Sequence, residues 1–127
     1  VIEAGPCVVA QVKTVETDKE IVSTFYDDDM IGMVFKNDSK DKQYTMEVYT
    51  TEGKLKFKQD FNIPYTTIRL SGGNILMYNS SQMCVMNSRG VQKYLGSVDG
   101  TIKDFFKIGM NRYLLVLDSG VEIIKLS

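Results

Sequence analysis

Ile75-Leu76-Met77-Tyr78 is apolar at every position. Successive side chains of a strand point to opposite faces, so a strand that alternates keeps one face wet. A strand with no polar position needs cover on both faces. The same holds for Met30-Ile31-Gly32-Met33-Val34-Phe35 and for Tyr113-Leu114-Leu115-Val116-Leu117. These runs recur at roughly 40 residues, the period of four-stranded β-propeller blades.

The flanking sequence repeats one plan around each run. Labelling the strands d, a, b and c, with a innermost and d outermost, the first unit reads as d about Val8–Val15, a about Glu20–Tyr26, b about Met30–Phe35 and c about Tyr44–Thr50. The second reads as Leu55–Phe61, Thr66–Leu70, Asn74–Tyr78 and Gln82–Met86, and the third as Val91–Gly96, Thr101–Ile108, Arg112–Leu117 and Val121–Leu126. The d strands alternate, with Leu55, Phe57 and Phe61 set against Lys56, Lys58 and Asp60. A gradient from a doubly apolar strand to a half-wet outer strand is what radially stacked blades require. We expect an all-β chain of β-propeller blades in a single domain, with units at 1–51, 52–88 and 89–127. Its core should comprise Val34, Phe35, Ile75, Met77, Leu114, Val116 and Ile123, with Leu115 intolerant of charge.

The punctuation agrees. Glu52-Gly53, Gly72-Gly73, Arg89-Gly90, Gly109 and Ser119-Gly120 fall where tight turns are needed, and one long polar insert runs from Asn37 to Gln43. No segment sustains a helical period.

Composition narrows the function. Lys+Arg 15 against Asp+Glu 16 gives a net charge of -1, with no basic stripe for nucleic acid and no polybasic amphipathic segment for a membrane surface. There is no histidine among the 127 residues, which removes the commonest general base and metal ligand. Cys7 and Cys84 are too few for a closed zinc site; they could pair, but Met83-Cys84-Val85-Met86 reads as core. No apolar run is long enough to span a bilayer. The first residue is Val, from which we expect a piece of a longer protein whose upstream sequence could carry an anchor.

The step Tyr49-Thr50-Thr51-Glu52-Gly53 into Lys54-Leu55-Lys56-Phe57 resembles the Tyr-x-x-x-Gly-Lys blade step of bacterial propellers, the quinoprotein-like and WD-repeat-like groups. Among these it is most similar to clostridial propeller proteins of unknown function, held outside the cell by an N-terminal transmembrane helix. The resemblance implies a propeller fold and an extracytoplasmic place. The chain lacks the Gly-His and Trp-Asp pairs of WD repeats and has no Trp, so no quinone cofactor and no catalytic residue carries over.

Candidate sites are sparse. Asp27-Asp28-Asp29 could supply carboxylates to a hard cation, but reads more simply as a solvated hairpin turn. Ser71-Gly72-Gly73-Asn74 lacks the Lys-Ser or Lys-Thr and the helix of a phosphate loop. A ligand on a propeller meets the d–a and b–c loops, which places Tyr65, Asn79, Asp99 and Asp118 as contact residues. The expectation is a non-catalytic binding module for a protein, peptide or glycan, needing no cofactor; the alternative is a structural scaffold. Since propellers have 4 to 8 blades, these units should belong to a larger propeller or pair as a homodimer.

Overall fold

The computed structural model describes residue 14 and residues 19–38 and 41–126. Eleven strands account for most of it, in the order β1 (Ile21–Tyr26), β2 (Met30–Lys36), β3 (Tyr44–Thr50), β4 (Leu55–Phe61), β5 (Thr67–Ser71), β6 (Asn74–Tyr78), β7 (Gln82–Met86), β8 (Gln92–Ser97), β9 (Ile102–Gly109), β10 (Arg112–Leu117) and β11 (Gly120–Lys125). No described residue is helical. Of the expected strand Val8–Val15 only Thr14 is described, outside any strand; the rest of it, Cys7, and Ser39 and Lys40 of the polar insert lie outside the described residues.

The strands form three antiparallel sheets, β1-β2-β3-β4, β5-β6-β7-β8 and β9-β10-β11. The outer strands join the sheet before them, which corrects the expected units at 1–51, 52–88 and 89–127: the described sheets span 21–61, 67–97 and 102–125. The reason is turn chemistry. At Thr50–Lys54 the Thr50 amide donates to the Lys54 carbonyl (2.8 Å) and the Gly53 amide to the Thr50 carbonyl (3.0 Å). Asn87–Val91 repeats these bonds at 2.9 and 3.0 Å. The Thr50 hydroxyl and the Asn87 side-chain oxygen each accept two further backbone amides of the turn. Gly53 and Gly90 sit at φ 86° and 81°, where other residues are strained. Both turns are therefore hairpins, and they fold β4 onto β3 and β8 onto β7. The segments 62–66 and 98–101 instead carry the chain to the next sheet.

Two layers of apolar side chains hold the sheets together. Phe25, Met30, Val34, Met46, Val48 and Phe61 of the first sheet meet Ile75, Met77, Cys84 and Met86 of the second. On the opposite face Leu76, Tyr78, Met83 and Val85 meet Ile102, Phe105, Tyr113 and Leu115. The ladder partners Ile75–Met86 and Met77–Cys84 face one neighbour, while Leu76–Val85 and Tyr78–Met83 face the other. That is why β6 carries no polar residue after Asn74. Gly32 interrupts the apolar run of β2 because the Phe25 ring fills the space a Cβ would need. Thr45, buried in the first sheet, accepts from Asn37 Nδ2 and donates to Asp60, each at 2.7 Å, so its burial leaves no unmet hydrogen bond.

Val34, Phe35, Ile75 and Met77 are core, as expected. Leu114, Val116 and Ile123 are not: the first two are half-buried and Ile123 is 65% exposed. They share the face of the third sheet that points away from the second. Only the middle sheet is covered on both sides by described residues.

Leu76→Ala should therefore destabilise by about 2–5 kcal/mol and Leu115→Asp should abolish folding. Ile123→Ala should change stability by less than about 0.5 kcal/mol. Urea denaturation of the three variants checks this; a large cost at Ile123 would show that its face is covered.

Candidate functional site

Four of the loops anticipated as contact surface form one rim. Asn79 turns on itself: its Oδ1 accepts the Ser81 and Gln82 amides (2.9 and 2.8 Å) and its Nδ2 donates to the Pro64 carbonyl (2.6 Å). That bond ties the loop after β6 to the loop before β5. The Val98 and Ile102 amides donate to Ser81 and Ser80 carbonyls (2.9 and 2.8 Å), tying in the loop before β9. Asp118 closes the series, its amide donating to the Thr101 carbonyl (3.0 Å) and its Oδ1 accepting from the Thr101 amide (3.2 Å).

The structure thus brings the regions of Tyr65, Asn79, Asp99 and Asp118 to the same rim, with unequal freedom. Tyr65 is half-buried, donates to Ser23 Oγ (2.7 Å) and lies edge-on to Tyr44 and tilted against Phe61. Burial pushes its hydroxyl pKa up, against the pull of Ser23. It braces the first two sheets. Asn79 and Asp118 hold backbone amides, whereas Asp99, Ser80 and Ser81 are exposed. Asp27 is also used locally: its Oδ1 accepts the Asp29 and Met30 amides (2.7 and 2.9 Å) in the β1–β2 turn, at the opposite rim. Among the described residues no group of three or more Asp, Glu, Cys or His could hold a metal ion. Cys84 is a free, buried thiol whose pKa burial pushes up to about 12, so it is protonated and inert at neutral pH.

A polar junction not anticipated from the sequence joins β5 to β9. Arg69 Nη2 donates to Asp104 Oδ1 and to the Phe105 carbonyl (2.6 Å). The guanidinium lies over the rings of Tyr78 and Phe106 at 5.9 and 5.8 Å, and the Tyr78 hydroxyl donates to the same Asp104 oxygen (3.3 Å). Partial burial alone would raise the Asp104 pKa, but the Phe105 amide and Arg69 outweigh it and hold the carboxyl below the usual range. An acid so held is a poor general base. The sequence signal was a charged residue among apolar ones in two strands, Arg69 amid Ile68 and Leu70 in β5, and Asp104 beside Phe105 and Phe106 in β9; their pairing needs the register of two sheets.

Compared with known proteins, residues 5–126 match the model of a family of unknown function (DUF5711). No curated protein matches the chain. Among solved structures the chain is similar to the crystal structure of HIRA(644-1017), with a TM-score of 0.65 and 14% sequence identity over 85% of this chain. The chain spans 37% of that structure. Likeness at this identity is one of fold, and it fits the propeller-blade arrangement of the three sheets.

Because Asp104 is held below its unfolded value, its contribution to stability is present above about pH 4 and is lost as the pH falls through its folded value. Wild type and Asp104→Asn should therefore differ in thermal midpoint at neutral pH and converge as the pH falls below about 4 and through the folded value. A difference that persists undiminished at the acid end would assign the effect to packing.

Proposed function

The chain belongs to the DUF5711 family of unknown function, and from the geometry of its blades we propose that it is a non-catalytic module that binds a protein, peptide or glycan, displayed outside the cytoplasm. The observation that carries this reading is the braced rim. Cross-loop bonds from Asn79 to Pro64, from Val98 and Ile102 to Ser81 and Ser80, and from Asp118 to Thr101 fix the loop backbones before any ligand arrives. A surface held in advance loses less entropy on binding. Asp99 and Ser80 stand exposed on it.

Four of the acid groups support a non-catalytic role. Asp60, Asp104 and Asp118 each accept a structural hydrogen bond, and Glu47 accepts one from the Tyr49 hydroxyl (2.5 Å). Acid–base chemistry needs a group free to exchange protons with a substrate, and the sequence has no histidine to offer. Extracytoplasmic display follows the resemblance to anchored bacterial propellers. Among the described residues no helix is long and apolar enough to cross a membrane.

A scaffold role is favoured by a separate observation. Val121 and Ile123 are 63% and 65% exposed on the open side of the third sheet. An apolar patch of this kind marks a contact surface. Further blades of a longer chain, or a second copy about a two-fold axis, would cover it.

Peptide and glycan arrays probed with the wild-type chain and with Asp99→Lys/Ser80→Lys distinguish the readings. A binding module whose contact surface is this rim should lose at least about tenfold in affinity for its array ligands in the double variant, a penalty of about 1.4 kcal/mol. Array ligands retained at full strength would move the contact surface elsewhere. Under the scaffold reading, light scattering should show a dimer that Ile123→Lys dissociates.

A further inference from the structure

The opposite rim of the molecule holds a cleft between the second and third sheets, about 350 Å³ in volume. It is lined by Asn74, Asn87, Lys93, Lys107, Asn111 and Tyr113, with Leu126 at one wall. Turn chemistry puts them there. Asn74 follows the Gly72-Gly73 turn, Asn87 opens the β7–β8 hairpin, and Asn111 occupies the β9–β10 turn at φ 58°, a left-handed conformation that Asn tolerates. Gly72 has no side chain, which lets the Lys107 stem lie across the turn so that Nζ donates to the Gly72 carbonyl (3.1 Å).

The lining is rich in donors and poor in acceptors. Tyr113 is buried, and its hydroxyl accepts from Asn74 Nδ2 (2.6 Å), which leaves the hydroxyl proton to be donated. Asn87 spends its side-chain oxygen on the Arg89 and Val91 amides, so its NH₂ group remains. Lys93 is exposed and has no carboxylate within ion-pair distance among the described residues; Lys107 gives one of its three donors to Gly72. Among the described residues no carboxylate lines the cleft. The groove between the first and second sheets is different: there Lys42 shares the lining with Asp60. Two ammonium groups set in a concave wall with no counter-charge among the described residues raise the local concentration of anions.

We propose that this cleft binds a small oxyanionic ligand, one that carries a carboxylate or phosphate alongside hydroxyl groups. Lys93 and Lys107 take the anionic oxygens, while Asn87, Asn111 and the Tyr113 hydroxyl donate to the remaining oxygens. The volume lies at the small end of ligand pockets, the size of a single sugar or a comparably small acid. The site is at the rim opposite Asp99 and does not rest on the rim reading above.

Titration of the ¹⁵N-labelled chain, followed by amide shifts at constant ionic strength, tests the proposal with four probes: sodium phosphate, sodium glucuronate, glucose and sodium chloride. Phosphate, glucuronate or both should produce saturable shifts at Asn74, Asn87 and Asn111, and which of the two saturates identifies phosphate or carboxylate as the preferred anion. Lys93→Gln should weaken that binding at least about tenfold, Lys93→Arg should retain most of it, and Lys56→Gln, which removes an exposed charge from the first sheet, should leave it unchanged. Lys93 is exposed, so the variants should melt as the wild type does. Shifts that fail to saturate, that chloride reproduces, that glucose matches, or that Lys93→Gln leaves intact would each overturn the proposal.

Discussion

The second sheet must be dry on both faces, and the rest of the structure follows from that requirement. Ile75, Met77, Cys84 and Met86 point to the first sheet, and Leu76, Tyr78, Met83 and Val85 to the third. Burying each large side chain contributes about 1.5–3 kcal/mol. The Arg69–Asp104 pair crosses the same interface, but its side chains are 36% and 41% exposed, and pairs so open contribute at most about 1 kcal/mol. Burial therefore holds the sheets together, and the ion pair fixes how β5 and β9 meet. Its directional contacts, one guanidinium nitrogen on Asp104 and the Phe105 carbonyl with the plane over two rings, specify a relative position that apolar packing would leave looser.

A chain of stacked sheets has ends, and the ends explain why apolar composition and burial part company. Leu114 and Val116 are as apolar as Leu76, yet they are half-buried because no described sheet lies beyond the third. Ladder pairing gives Leu114 the partner Ile123 and Val116 the partner Val121, so one continuous apolar face is left open. The third sheet also has three described strands where its neighbours have four. Among the described residues, the open face and the short strand count both belong to the third sheet.

Much of the fold was legible in the residues. The doubly apolar runs located β2, β6 and β10, and the glycine turns located the hairpins. The assignment of the outer strands was not legible from periodicity, since Leu55–Phe61 alternates in the same way whichever sheet it joins. What decides it is Thr50 and Asn87, whose side chains cap tight turns and so make β3–β4 and β7–β8 hairpins. The rim was legible as a set of loops, but the work done by each residue was not: Tyr65 reads as an exposed loop aromatic until the fold brings Ser23, Tyr44 and Phe61 against it. Arg69 and Asp104 were invisible as a pair because their partnership spans 35 positions and two sheets.

The two rims differ in what their polar side chains are free to do. At the rim of Asn79 and Asp118, side-chain oxygens accept backbone amides from their own or adjoining loops, and the surface gains rigidity at the cost of free hydrogen-bonding capacity. What such a rim can offer a partner is shape, exposed backbone and the few side chains left over, which suits broad contact with a macromolecule. At the rim of Lys93 and Asn111 the donors outnumber the acceptors, and the wall is concave. Concavity and surplus donors suit a small ligand that supplies the missing acceptors. One stack of sheets thereby presents two surfaces of different chemistry, because the loops at one rim spend their side-chain oxygens on backbone amides while the turns at the other keep donors to spare.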